Sequence, residues 1–291
     1  MIDLHLHSNC SDGVLPPDKL VTACKAVGLS TIALCDHDTV CGVSLAMETG
    51  QQLAVEVISG VELSVCHKDI SDIHLLGYWI DHNAPLLQTH LDTLATQRAN
   101  RNREIIGLIN QRLRKECKDP LQVVEVEALA DGVIGRPHIA RVLIRQGYVS
   151  GMEEAFRRYL IPCDVPKAYW PMESAIVTIQ NIGGIAILAH PTSISRDQQF
   201  LAALIAELKT MGLDGIEVFN SLATEQETMF LQKLAYHLDL LVTGGSDYHG
   251  IEPDDCIGKG RGGIRFADAL LPPLRQRADE RQIPCSRFFV L

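Results

Sequence analysis

The chain opens on Asp3-Leu4-His5-Leu6-His7-Ser8-Asn9-Cys10-Ser11-Asp12-Gly13. Alternate side chains of an extended segment share a face, so His5 and His7 are expected to present both imidazoles together, and the Ser11-Asp12-Gly13 turn can return a carboxylate beside them. That is half of a metal site. Groups of the same kind follow at the ends of, or within, short apolar runs. They are Cys35-Asp36-His37-Asp38, Gly60-Val61-Glu62, Ile73-His74-Leu75, Leu188-Ala189-His190-Pro191 and Gly245-Ser246-Asp247-Tyr248-His249-Gly250. An unpaired ionisable group in a buried strand is costly, and a bound cation removes that cost. A single histidine of this kind, such as His74, is more often a hydrogen-bonded core residue. A consistent series along the chain points instead to a metal centre. His67, His82, His90 and His237 fall outside the series and are read as ordinary residues. Asp3, Asp36 and Asp38 flank the motifs, where they can orient imidazoles or form turns and caps.

Mixed imidazole and carboxylate donors suit Mn, Fe or Zn, whereas an all-oxygen set favours Mg or Ca. His5, His7, Asp12, His37, Glu62, His74, His190, Asp247 and His249 are too many ligands for one ion. Ions roughly 3.5 to 4 Å apart can share a hydroxide that is nucleophilic at neutral pH while holding phosphoryl oxygens. Phosphate-ester hydrolysis is the natural chemistry.

The elements that must position these groups alternate. Ile2–Leu6, Thr31–Leu34, Val55–Ile58, Ile73–Trp79, Ile185–Ala189, Gly215–Phe219 and Leu240–Gly244 read as strands. Amphipathic helical patterns lie between most of them, at Pro17–Val27, Val43–Leu53, Met172–Asn181, Gln198–Met211 and Glu225–Leu238. Such alternation implies an α/β fold with a mainly parallel sheet, and seven strand candidates suit a closed barrel whose site lies at the C-terminal strand ends. From about Thr96 to Ala168 helix signals take over, with Ile105, Ile106, Leu108, Ile109 and Leu113 at helical spacing and further patterns at Leu121–Ala130, Pro137–Gln146 and Met152–Leu160. This predicts an inserted helical cap at residues 96–168 within a barrel made of residues 1–95 and 169–291. Ala267–Arg281 and Phe288–Leu291 read as a closing helix and an apolar tail.

Composition sets bounds. With 291 residues and 46% hydrophobic content, the chain can bury one large core. No apolar run approaches the roughly 20 residues of a membrane span, and Met1-Ile2-Asp3 leads directly into a strand, so a cytoplasmic location is expected. Nine cysteines, odd in number and without a Cys-x-x-Cys pair, read as reduced thiols. A formal charge of −10 argues against tight binding of long duplex nucleic acid, while a local basic pocket for phosphate stays open.

The ordered series His-x-His, Asp, His, Glu, His, His, Asp-x-His resembles the polymerase and histidinol phosphatase (PHP) family, and all nine of that family's ligand positions are filled here. The resemblance implies a distorted seven-stranded PHP barrel with an inserted helical cap and two or three divalent ions, most readily Mn, with Fe or Zn as alternatives. It implies His5, His7, Glu62 and Asp247 at one ion, Glu62, His74 and His190 at a second, and Asp12, His37 and His249 at a third, with Glu62 as a bridge. Within the family the chain is similar to stand-alone phosphoesterases that act on nucleotide 3′,5′-bisphosphates and the 5′ ends of short RNA.

Gly135-Arg136-Pro137-His138-Ile139-Ala140-Arg141 places a turn, an arginine and free amides at a helix start, suited to an anion, and resembles the substrate segment of the bisphosphate phosphatases. Arg136 and His138 are its candidate contacts. Lys167, in Cys163-Asp164-Val165-Pro166-Lys167-Ala168-Tyr169, stands about a residue away from the lysine of the family's Gly-Lys-Pro-Ala-Tyr-like segment. Arg196, in Thr192-Ser193-Ile194-Ser195-Arg196, is the candidate for an arginine that relatives carry just after His-Pro. The arginines between Gln97 and Arg103 read as a solvated helix face. Expected substrates are therefore a nucleotide bisphosphate or a short RNA. The alternatives are a small-metabolite phosphatase, such as one for histidinol phosphate, or a non-catalytic metal-binding interaction module.

Overall fold

The computed structural model describes residues 1–129, 135–251 and 256–282. In chain order these form β1 (Ile2–Leu6), α1 (Pro17–Ala26), β2 (Thr31–Leu34), α2 (Val43–Leu53), β3 (Glu56–His67), β4 (Ile70–Tyr78), α3 (Pro85–Lys115), α4 (Val123–Glu127) and α5 (Arg136–Arg145). There follow α6 (Met152–Ala155), running into a π-type turn at Phe156–Leu160, then β5 (Trp170–Pro171), α7 (Met172–Asn181), β6 (Ile185–Leu188), α8 (Gln198–Thr210), β7 (Gly215–Phe219), α9 (Glu225–His237), β8 (Leu241–Gly244) and α10 (Leu271–Gln282). The chain divides into two compact units, residues 1–89 with those from 169 onward, and residues 90–168. The expected tail at Phe288–Leu291 and the last residue of the Leu121–Ala130 pattern lie outside the described residues.

In the first unit the strands hydrogen-bond in the order β1-β2-β3-β4-β6-β7-β8, with β5 beside β3. The triplets β1-β2-β3 and β6-β7-β8 are parallel, as the alternation predicts. The departure is β4, which is antiparallel to both β3 and β6. Its cause is local. The strand expected to stop at Ile58 continues to His67 and turns back through Lys68, whose φ of 53° suits a tight turn. No crossover helix separates the two strands. The two-residue β5 is too short to leave a periodic signal. Single bridges join Leu6 to Tyr248 and Ile2 to Phe266, tying the segments after β8 to β1.

β1 is buried at every position, with Ile2 and Leu4 in an apolar cluster with Ile58, Tyr78, Ile187, Phe266 and Leu274. The Tyr78 hydroxyl donates to the Leu4 carbonyl at 2.8 Å, so this fully buried ring also satisfies its polar end. Leu271, Leu274 and Ala278 of α10 join this core, and Arg277 of the same helix meets the buried Asp214 at 3.0 Å. In the second unit Ile105, Ile106, Ile109 and Leu113 of α3 pack with Ile139, Val142 and Leu143 of α5 and with Tyr159 and Leu160. Asn110 clamps the chain ahead of α4, accepting from Leu121 N at 2.7 Å and donating to its carbonyl at 2.9 Å. No helix among the described residues is long and apolar enough to cross a membrane.

Candidate metal centre

The nine residues of the series come together in the first unit, most of them at or just beyond the C-terminal ends of parallel strands, with Glu62 midway along β3 and His74 midway along the antiparallel β4. β1 carries His5 and leads to His7, and both are wholly buried. A backbone bridge between His37 and Glu62 brings the segment after β2 against β3. His74 stands on β4 beside Ser64 of β3, His190 lies two residues beyond β6, and Asp247 and His249 follow β8. Close approach of the last segment to the first requires Gly245, since a Cβ there would meet His5 Cβ at 2.3 Å.

Glu62 is the hub. Its Oε1 lies 3.0 Å from His74 Nδ1 and 3.1 Å from His190 Nε2, and its Oε2 lies 3.0 Å from His37 Nδ1 and 3.3 Å from both His5 Nε2 and His7 Nε2. Asp247 Oδ1 is 3.1 Å from His7 Nε2 and 3.4 Å from His5 Nε2, and Asp12 Oδ1 is 3.2 Å from His249 Nε2. Three donor groups are compact enough to hold an ion: His5, His7, Glu62 and Asp247; His7, Asp12, His37 and His249; and His37, Glu62 and His74. The first is the expected grouping. In the second His7 joins the expected trio, and in the third His37 stands where His190 was expected. Side-chain direction decides this, because the His37 ring reaches Glu62 through Nδ1 and Asp12 through Nε2, at 3.8 Å.

Charge and burial are balanced around Glu62. Burial alone would raise its carboxyl, yet His37, His74 and His5 hold it well below the usual carboxylate range. Asp247, half-buried, is held low by His5 and His7. Burial, reinforced by His249, pushes His7 down to about 3, which leaves its imidazole neutral. Several buried donor atoms have no hydrogen-bond partner, namely His5 Nε2, both ring nitrogens of His7, Asp12 Oδ1, Glu62 Oε2 and His74 Nδ1. Unsatisfied polar atoms at such density are expensive, and divalent cations fit this donor set.

The flanking aspartates hold backbone. Asp36 accepts from Ser8 N at 2.7 Å, Ser8 Oγ at 2.6 Å and Ser11 Oγ at 2.7 Å, which shapes the turn that carries Asp12. Asp38 accepts from Ser64 N at 2.7 Å, and Asp3 from Ser246 and Gly258. Sequence reading missed Glu217 of β7. It is fully buried, with Oε1 at 3.0 Å from His5 Nδ1 and Oε2 accepting from His190 N at 2.9 Å. A glutamate inside Gly215-Ile216-Glu217-Val218-Phe219 carries the same signal as Glu62 does. Two cluster residues adopt left-handed backbone, His190 at φ 23° and Asp247 at φ 56°, a strain typical of functional sites.

The substrate candidates have other settings. Arg196 NH1 donates to both carboxylate oxygens of Glu227 at 2.6 and 2.9 Å, at the start of α9. Arg136, His138 and Lys167 belong to the helical unit. There Arg136 lies 3.3 Å from Asp164 and over the Phe156 ring at 5.8 Å, and His138 Nδ1 accepts from Gly135 N at 3.0 Å, capping α5. Lys167 is half-buried.

Comparison with known proteins agrees with this geometry. The PHP domain model matches residues 3–160. The chain is 37% identical over 250 residues to a 5′-3′ exoribonuclease of Haemophilus influenzae, covering 85% of this chain and 89% of that protein. It is 30% identical to a 3′,5′-nucleoside bisphosphate phosphatase of Chromobacterium violaceum, covering 85% and 87%. A solved structure described as a metal-dependent phosphoesterase from Bifidobacterium adolescentis superposes with a TM-score of 0.80 at 25% identity, covering 95% of this chain and 96% of that one. With its ligand series, strand order and homology in accord, the chain belongs to the PHP domain family.

Proposed function

We propose that this protein is a metal-dependent phosphoesterase acting on nucleotides, as a 3′-phosphatase of nucleoside 3′,5′-bisphosphates, a 5′-3′ exoribonuclease on short RNA, or both. The observation that carries this reading is the convergence of five imidazoles on the buried carboxylate of Glu62, with donor atoms left without protein partners. Relatives named for both activities support the choice of nucleotide substrates. In this reading the nine residues hold two or three divalent ions, Mn first, with Fe or Zn as alternatives, and the seven principal strands form a closed, distorted barrel. When bound, the ions would supply a nucleophilic water and positive charge for the phosphoryl oxygens. Glu62 would be shared between ions, His5, His7, His37, His74, His190 and His249 would present neutral nitrogens, and Asp12 and Asp247 would supply charge. The helical unit takes the recognition role, with Arg136, His138 and Lys167 as phosphate contacts. Arg196 is the weakest candidate because Glu227 already holds it. Free thiols at all eight described cysteines suit a cytoplasmic setting, and the charge of −10 disfavours long duplexes.

The test is a substrate panel under one metal condition, comparing adenosine 3′,5′-bisphosphate, adenosine monophosphates, a short 5′-phosphorylated RNA and histidinol phosphate. The bisphosphate or the RNA should give the highest kcat/KM. Clear preference for histidinol phosphate would replace this reading with the small-metabolite one, and no hydrolysis of any substrate by metal-loaded protein would leave the non-catalytic one.

A further inference from the structure

Glu217 lies outside the nine-residue series and touches two of its members from behind. One carboxylate oxygen faces His5 Nδ1 at 3.0 Å and the other accepts from the backbone N–H of His190 at 2.9 Å. The opposite edge of the His5 ring points into the cluster, where Nε2 lies 3.3 Å from Glu62 Oε2 and has no hydrogen-bond partner. His190 is held at φ 23°, ψ 66°, and its Nε2 reaches the other oxygen of Glu62. We propose that Glu217 is a positioning residue that sets the tautomer of His5 and the backbone turn of His190, and so aims two imidazoles at the two oxygens of Glu62.

The chemistry follows from what each atom can do. An ionised carboxylate only accepts, so the ring nitrogen facing it must carry the proton, which leaves the lone pair of His5 on Nε2, toward the cluster. The second oxygen meets a backbone N–H that can only donate, and this bond holds His190 in a conformation that a residue with a Cβ rarely adopts. Both oxygens face donors, so an amide of the same shape cannot replace the carboxylate. In Glu217→Gln the NH2 group meets either the His190 N–H, donor against donor, or His5 Nδ1. The latter needs a lone pair at Nδ1 and sends the proton to Nε2, where it blocks ligation. Substitutions behind a ligating histidine typically weaken metal binding by about 10- to 100-fold.

This inference rests on the metal-centre reading, and its test keeps the two apart. Full-length protein with 15N-labelled histidine is titrated with Zn2+, reading zinc affinity by chelator competition and the ring 15N and 1H resonances of His5. Wild type should bind zinc with the His5 proton on Nδ1. Glu217→Gln should bind zinc about 10- to 100-fold more weakly and lose that Nδ1–H signal, while Glu217→Asp, still acceptor-only, should keep the signal. Equal zinc affinity and an unchanged Nδ1–H signal in Glu217→Gln would overturn the role of Glu217 alone. Failure of wild type to take up zinc would overturn the metal-centre reading itself. Should the Gln variant not fold, wild type still decides, because a His5 proton on Nε2 would refute the proposal.

Discussion

Asp3 and Ser246 are joined by two hydrogen bonds across almost the whole chain, from Ser246 N to Oδ1 at 2.9 Å and from Ser246 Oγ to Oδ2 at 2.6 Å. Oδ2 also accepts from Gly258 N at 2.7 Å. The carboxylate of the first strand therefore holds the segment that carries Asp247 and His249. Asp3→Ala should leave these buried donors unsatisfied at a cost of about 3 kcal/mol and displace that segment. Thermal unfolding and metal content should both fall, and a variant with wild-type values in both would show that the clamp is dispensable.

Glu62→Gln removes the charge on which five imidazoles converge, so it should lower metal content by at least one equivalent and hydrolysis by more than about 100-fold. His82 contacts Ser44 Oγ at 2.9 Å, outside the cluster, so His82→Ala should keep both near wild type. Elemental analysis beside steady-state rates checks this. Equal losses in the two variants would contradict the ligand assignment.

Metal uptake should depend on pH with a definite sign. Burial alone would depress His37, but the Glu62 carboxylate brings it up to about 9, and Asp12 does the same for His249. In protein stripped of metal these imidazoles stay protonated through neutrality, and an ion must displace their protons. Affinity should therefore rise between pH 7 and 9, with proton release in weakly buffered calorimetry. The stability of the stripped protein has the opposite trend. Raised histidines stabilise the fold fully below their unfolded value of 6.5, and this contribution is lost as pH passes about 9. A flat affinity profile over that range would refute the linkage.

Arg136 is half-exposed, stacks on Phe156 and shares the Asp164 carboxylate with Arg101. A guanidinium contact to phosphate contributes roughly 1.5 to 3 kcal/mol, about ten- to a hundredfold in kcat/KM. Arg136→Ala should cost that much with adenosine 3′,5′-bisphosphate and much less with an aryl phosphate. Arg196→Ala, which breaks only a surface pair to Glu227, should change neither by more than about twofold. Equal slowing of every substrate by Arg136→Ala would remove it from phosphate recognition.

The sequence made the cluster legible because ionisable groups inside apolar runs have few stable fates. Glu217 carries the same mark and was passed over, since the family series names no residue at that place. The grouping of donors was less legible. The family resemblance placed His37 with Asp12 and His249, and His190 with Glu62, but ring orientation decides that His37 also faces Glu62. Strand positions were readable from burial patterns, whereas the reversal at Lys68 was not, because periodicity carries no direction. Arg196 shows a further limit, as loop geometry and a competing carboxylate decide where a long side chain rests.

The bridge from Leu6 to Tyr248 and the seat that Gly245 makes for His5 also bear on biosynthesis. A chain leaving the ribosome presents His5, His7, Asp12, His37, Glu62 and His74 long before Asp247 and His249. A finished centre thus requires that two segments distant in sequence have been made and have met. Chains that stop before Asp247 and His249 carry a partial ligand set, so the complete metal site is withheld until both have been made.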